Sequence, residues 1–347
     1  MSTRARGLDA VRVIAMLAIV AGHLWTAHYW VRPVLFTWHV PIFFFLAGYL
    51  WNEKRGLVAE VRNRALTLLV PFVAWLVLLT VLLYRDHLDS TLHDLFWQAW
   101  YGEGYMRPFW AYWFAPALFF AAIAYRLVSR LGWIPRTVVV VALAVGTSEL
   151  AGAGHLLRLN LSQGLVCLLW IFAGHGLRAL DRSADARWGR HHDLSPYRAA
   201  LGVAMLVSAA LWIAASSADL DVDLNKIDLG VPVQSVLLSV LICTGVVLVA
   251  TTIGSYAVPE VTSDLARAAL VVMLVHVALI EQAGGLSDAG PGRYVVVSAA
   301  SWGLGLVLIT LRRTSWLTGQ RPRPGQQPEI PSRISQRIAQ PVPAHAE

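Results

Sequence analysis

Charge and cysteine are both scarce in this chain. Of its 347 residues only 14% are charged, where a soluble globular domain carries about a quarter, so an ordinary soluble domain is excluded. Only two cysteines occur, Cys167 and Cys243, each inside an apolar run and without paired spacing. That pattern excludes a disulfide framework and a cysteine-based zinc site, and it makes both thiols reduced packing residues. An internal repeat linking two halves is also missing, which disfavours the many transporter architectures built that way. No small-residue cleavage site follows the first apolar run, and the run is too long for the core of a signal peptide.

What the chain does have is oil-seeking surface. Hydrophobic residues make up 57% of it, tryptophan occurs 15 times, and apolar windows recur along its length. Windows of about twenty residues at that density predict an all-α integral membrane protein. The windows are 8–29, 34–51, 65–84, 110–128, 137–153, 161–180, 197–216, 231–253, 265–283 and 294–311, giving about ten transmembrane helices. The second is interrupted by Pro41 and Gly48.

Placing the N-terminus inside puts 22 of the 28 Lys and Arg residues on the cytoplasmic side. Only Arg32, Arg85, Arg107, Arg158, Lys226 and Arg293 are then left outside, as the positive-inside rule requires. Both termini are therefore expected in the cytoplasm and the protein in the plasma membrane. A formal charge of +7 is no argument for a nucleic-acid partner here, because placement decides in a lipid bilayer. Residues 1–314 form the expected membrane domain. Residues 315–347, rich in Pro, Gln and Arg, are expected to be a disordered cytoplasmic tail.

The first window carries two groups that do not belong in oil. Arg12 and His23 bracket "VIAMLAIVAG", ten residues long. On a helix they fall within about 20° of one face and roughly 16 Å apart along the axis. Asp9, one turn before Arg12, is placed to hold its guanidinium. The bland alternatives are a snorkelling anchor for Arg12 and a hydrogen-bonded packing residue for His23. Their shared face favours function, since ionisable groups at membrane depth are costly. An anion grip at one edge and a base about 16 Å away would suit a donor with a phosphopantetheine arm, itself roughly 17 Å long.

"RGLDAVRVIAMLAIVAGH" followed by "FTWHVPIFFFLAGYLW" resembles the opening of the acyltransferase-3 family of integral membrane acyltransferases. The resemblance rests on the Asp9-x-x-Arg12 pair, the spacing from Arg12 to His23, and the block His39, Pro41, Phe43, Phe44, Gly48. "RALTLLVPF", "YWFAPALFF" and "VVMLVH" look like later family segments. One departure is plain. Relatives often carry arginines seven and four residues before the proline; here Arg64 holds the first place and Thr67 the second, with Arg62 the nearest stand-in.

The resemblance implies transfer of an acyl group from cytoplasmic acyl-CoA, acetyl-CoA in the simplest case, to a hydroxyl at or beyond the membrane. The acceptor would be a glycan, a lipid-linked sugar or a glycosylated small molecule. His23 would be the general base, with His39 a second catalytic candidate that orients it or meets the acceptor. Arg12, Asp9, Arg62 and Arg64 would hold the donor. For the acceptor the candidates are Trp97, Trp100, Tyr101, Glu103 and Trp113 in the segment between the third and fourth windows, together with His276. Aromatic faces there could stack on a sugar ring; the plainer alternative is an aromatic belt at the bilayer surface. No metal is expected, because no recognised ligand spacing occurs. The rival class is a secondary transporter or exporter using Arg12 and His23 as a substrate and proton relay.

Overall fold

The computed structural model describes residues 3–101, 105–154, 157–189, 193–253, 259–284 and 290–320. Helix α1 (Thr3–Leu24) is followed by a π-turn at Arg32–Phe36 and the short α2 (Pro41–Tyr49). Next, α3 (Leu57–Arg64) passes through a second π-turn, Ala65–Leu69, into α4 (Val70–Leu83). Then come α5 (Leu88–Tyr101), α6 (Phe114–Val128), α7 (Trp133–Gly152), α8 (Leu161–Val166) and α9 (Leu168–Arg187). The chain continues as α10 (Ser195–Ala215), α11 (Pro232–Ile253), α12 (Val261–Gln282), α13 (Pro291–Thr310) and α14 (Ser315–Thr318).

Seven helical stretches among the described residues are long and apolar enough to cross a membrane, and an eighth is formed if α8 and α9, bent by 43°, count as one. The protein is therefore an all-helical, multi-pass membrane protein. The two remaining expected spans take a different form. The 34–51 window is broken into the end of the Arg32–Phe36 π-turn and the nine-residue α-helix α2, and the 110–128 window holds the 15-residue α6 as its α-helix. At 1.5 Å per residue these reach about 14 and 22 Å, short of a hydrocarbon core about 30 Å thick. Pro41, which lacks an amide hydrogen, opens α2 at its first turn. Seven of the nine α2 residues are buried. Most of its apolar surface faces protein, which a hydropathy window cannot tell from a lipid-facing span.

The centre of the bundle is the pair α1 and α12. They run parallel, with Asp9 beside Ser263 near one end and His23 beside His276 near the other. Parallel neighbours need an odd number of crossings between them, a condition met whether α2 and α6 both traverse or both turn back. Around this pair, α11 and α13 pack on its flanks, α10 lies outside α11, and α2 crosses α9. That last crossing is close. A Cβ on Gly48 would run into the Ile171 carbonyl, and one on Gly174 into the Phe45 carbonyl, so small residues let the two backbones meet.

The boundary expected at Ser315 moves. α14 packs against α4, where the Trp75 indole donates to the Leu317 carbonyl at 2.9 Å, and the Gln320 amide donates to the Arg267 carbonyl at 3.1 Å. Leu317 and Thr318 are buried. Packing thus continues through the described residues as far as Gln320, with Leu317 and Thr318 as its buried contacts. Residues 321–347, the rest of the expected tail, lie outside the described residues.

Candidate active site

Two cavities open at the two ends of α1. At the N-terminal end a cavity of about 620 Å³ is lined by Arg12, Arg64 and Arg267, with an apolar floor that includes Met16, Phe43, Phe114 and Met273. At the other end, His23 and His39 line a cavity of about 840 Å³ whose rim holds Arg32, Arg107, Trp110 and Trp113. At the start of α6 the two cavities touch consecutive residues, Phe114 and, just before the helix, Trp113; at α2 they touch Phe43 and Val40 just before it, within one helical turn. They are separated by that apolar wall, where Phe43 and Phe114 meet edge to face at 5.6 Å.

Each guanidinium in the first cavity leans on a carboxylate one helical turn before it. Arg12 Nη1 lies 2.5 Å from Asp9 Oδ1, and the other Asp9 oxygen accepts from the Ser263 hydroxyl at 2.9 Å. Arg64 Nε donates to Glu60 Oε1 at 2.8 Å, and Arg267 Nη1 to Asp264 Oδ1 at 3.1 Å. These pairs fix the direction of each side chain and leave other N–H groups for an anionic ligand. Glu60 is a hub, almost wholly buried, whose second oxygen takes Arg55 at 3.0 Å and Arg126 at 3.3 Å. Arg62 is exposed and does not line the cavity. Its place is taken by Arg267 from α12, which sequence reasoning missed. A signal existed: Asp264-Leu-Ala-Arg267 repeats the spacing of Asp9-Ala-Val-Arg12.

The second cavity contains a different kind of chemistry. The His39 Nδ1–H donates to the Leu35 carbonyl at 2.6 Å, and His276 Nδ1–H to the Val272 carbonyl at 2.9 Å. A carbonyl only accepts, so each bond sets the tautomer and leaves Nε2 with a lone pair. His276 is fully buried and its Nε2 has no partner among the described residues. Its ring centroid is 5.1 Å from that of His23. The His23 imidazole, half-buried at the cavity edge, makes no hydrogen bond among the described residues. His276 thus sits behind His23 and does not line the cavity itself.

The rim of this cavity is a folded loop. Asp223 and Asp228 exchange backbone hydrogen bonds of 2.8 and 3.0 Å, and Leu220, Val222 and Leu224 are buried beneath. Arg32 pairs with Asp221 and lies 3.8 Å from Asp223, which also sits 3.6 Å from Lys226. Burial, followed by the neighbouring Asp219 carboxyl, raises Asp221 to about 6. Alternating Asp and apolar residues in "DLDVDL" mark such an extended, half-buried strip, a signal that the charge count alone passed over.

Among the aromatic candidates, Trp113 lines the cavity and is joined by Trp110, over which Arg107 sits at 4.3 Å. Trp97, Trp100 and Tyr101 lie on α5, partly exposed, and line neither cavity. Trp97 stacks on Tyr101 at 5.5 Å, and the exposed stripe Leu92, Phe96, Trp100 suits the membrane interface. Glu103 lies outside the described residues.

The sequence model of the acyltransferase-3 family, described as an acyltransferase domain, matches residues 6–312. The chain belongs to the acyltransferase-3 family. Its match begins within α1 and ends just after α13, so it takes in every residue lining the His23 cavity of this acyltransferase and all those lining the Arg12 cavity except Gly319 and Gln320. No curated protein and no solved structure shows a significant match.

Proposed function

We propose that this membrane acyltransferase moves an acyl group, acetyl in the simplest case, from cytoplasmic acyl-CoA to a hydroxyl of a carbohydrate-containing acceptor. The observation that carries the proposal is the contrast along α1, with oriented guanidiniums around one cavity and an unbonded imidazole in the other. The split of basic residues favours a cytoplasmic N-terminus in the plasma membrane. The arginine cavity then faces the cytoplasm, where Arg12, Arg64 and Arg267 would grip the donor's phosphates. The thioester arm would pass the wall of Met16, Phe43, Phe114 and Met273. Unbranched methionines and two rings can swing aside by rotamer changes.

In the outer cavity the acceptor would lie between Trp110, Trp113 and the polar rim. As the hydroxyl oxygen attacks the thioester carbon, His23 takes its proton. The carbon–sulfur bond then breaks, and the leaving thiolate receives that proton from the imidazolium. A small rotation lets the other ring N–H of His23 donate to the idle Nε2 of His276. That contact would hold the base in the tautomer whose lone pair faces the acceptor. His39 Nε2, close to Gly22 on α1, would accept from the acceptor sugar or from His23.

The test uses purified protein in lipid vesicles with labelled acetyl-CoA and a glycan extract from the host. Label on the extract supports acyl transfer. Uptake of a solute with no covalent labelling would replace this proposal with a transporter.

A further inference from the structure

A second basic cavity, about 290 Å³, adjoins the arginine cavity and has no role in the proposed mechanism. Leu50 borders one and Trp51, the next residue, borders the other. The Glu60 hub stands between them, with Arg64 on one oxygen and Arg55 and Arg126 on the other. Four guanidiniums, Arg55, Arg126, Arg130 and Arg136, line this cavity against a single lining carboxylate, Glu53. That carboxylate is already engaged by His175 at 3.2 Å and Arg182 at 3.3 Å, and the His175 hydrogen bond holds it below its ordinary range.

Two of the four guanidiniums are built in. Arg126 and Arg136 are 4% and 7% exposed. Each lies over an indole, Arg126 over Trp51 at 4.0 Å and Arg136 over Trp133 at 4.6 Å. Terminal nitrogens are anchored, Arg126 to the Asn52 carbonyl at 2.8 Å and Arg136 to the Ser129 and Leu131 carbonyls at 2.6 and 2.7 Å. Yet Nε of both arginines is buried without an acceptor among the described residues. A buried charged donor left unpaired carries a free-energy penalty, and an anion beside the two guanidiniums would offset it through their charge. Arginine forks held in fixed planes match phosphate oxygens in particular.

We propose that the Arg126–Arg136 cavity is a phosphate-binding site. Two sources present that chemistry at this end of the bundle, the nucleotide end of the acyl-CoA donor and the head group of an anionic phospholipid. The site stands apart from the acyl-transfer proposal; only the donor as its source rests on it. The short step across Glu60 would let one long donor place phosphates in both cavities.

Full-length protein in phosphatidylcholine nanodiscs is titrated calorimetrically with adenosine 3′,5′-bisphosphate and with inorganic phosphate. Phospholipid retained from phosphatidylglycerol nanodiscs is read by native mass spectrometry. Arg130→Gln removes an exposed charge, Arg136→Lys keeps charge but loses the fork, and thermal melting checks that both fold. Comparison with these variants separates this site from the Arg12 cavity, which they leave intact. Binding of the bisphosphate, weakened roughly tenfold by either substitution, assigns the donor. Retained phosphatidylglycerol that either substitution releases, with bisphosphate binding unchanged, keeps the phosphate site and assigns the lipid. Folded variants that match wild type with all three probes overturn the proposal. A bisphosphate site in a protein that labels no glycan would sink acyl transfer and leave this site standing.

Discussion

The two ends of α1 solve opposite problems. At the Arg12 end every lining guanidinium is tied to a carboxylate one turn away, so charge is held in place and half-neutralised before any ligand arrives. At the His23 end the flanking histidines are tied to backbone carbonyls, while His23 itself is left without a bond. A group that only has to bind benefits from being fixed. A group that has to take a proton needs an unengaged lone pair. The difference separates binding from chemistry along one helix, and substitutions at the two ends should separate the same way in kinetics.

The largest effect is expected at the unbonded end. Replacing His23 by Gln keeps a polar side chain and removes the base, so kcat for acyl transfer should fall about 10²- to 10⁴-fold. Donor affinity, read by titration with a non-transferable acyl-CoA analogue, should stay within about twofold. A folded His23→Gln protein with near wild-type turnover would dissolve the contrast.

At the bonded end the pattern should invert. Arg12→Gln leaves Asp9 hydrogen-bonded to Ser263, and Arg64→Gln leaves Glu60 with Arg55 and Arg126, so neither strands a buried carboxylate. Each should raise the donor KM about 10- to 100-fold while kcat changes little. Equal losses in kcat and kcat/KM would mean that the arginine acts only in the transition state, and the division of labour would fail.

Sequence reasoning reached one of these ends more fully than the other. Arg12, Asp9 and His23 share one helix, where a spacing of eleven residues already says which face they occupy. Arg267 and Arg32 reach the cavities from elsewhere in the chain, and Glu60 holds Arg64 beside one of them, so their convergence is a tertiary fact that no local period encodes. Hydropathy finds the apolar windows without saying how each is covered. It counts oil-soluble surface and is blind to whether lipid or protein covers it, as α2 shows. Trp97 and Trp100 against Trp110 and Trp113 make the point for aromatics. All four sit in one stretch of sequence, and only the turn before α6 brings the second pair to the cavity.

His276 sharpens the comparison from behind the site. It touches His23 and lies outside both cavities. His276→Phe fills the space and deletes the acceptor nitrogen. If that nitrogen orients the base, kcat should drop about tenfold with donor KM unchanged, and His276→Asn should recover part of it. An effect on melting temperature alone would reduce His276 to packing.

The smallest effect belongs to the rim loop, where one carboxyl is held against its preference. Asp221 titrates near 6 in the folded loop because burial, then the Asp219 carboxyl, disfavour its charged form. The unfolded chain titrates about two units lower. Between those values the folded state binds more protons than the unfolded one. Stability from this group is therefore present below about pH 4 and declines as pH rises to about 6. Asp221→Asn should flatten that part of the melting-temperature profile between pH 4 and 6. The variant also weakens the tether on Arg32, so acceptor KM should rise a few-fold at pH 7. At pH 5, where the wild-type carboxyl is itself largely protonated, the two proteins should converge. A constant gap across that range would mean that Asp221 shapes the loop without titrating, and that its carboxyl gives the rim no pH-dependent charge.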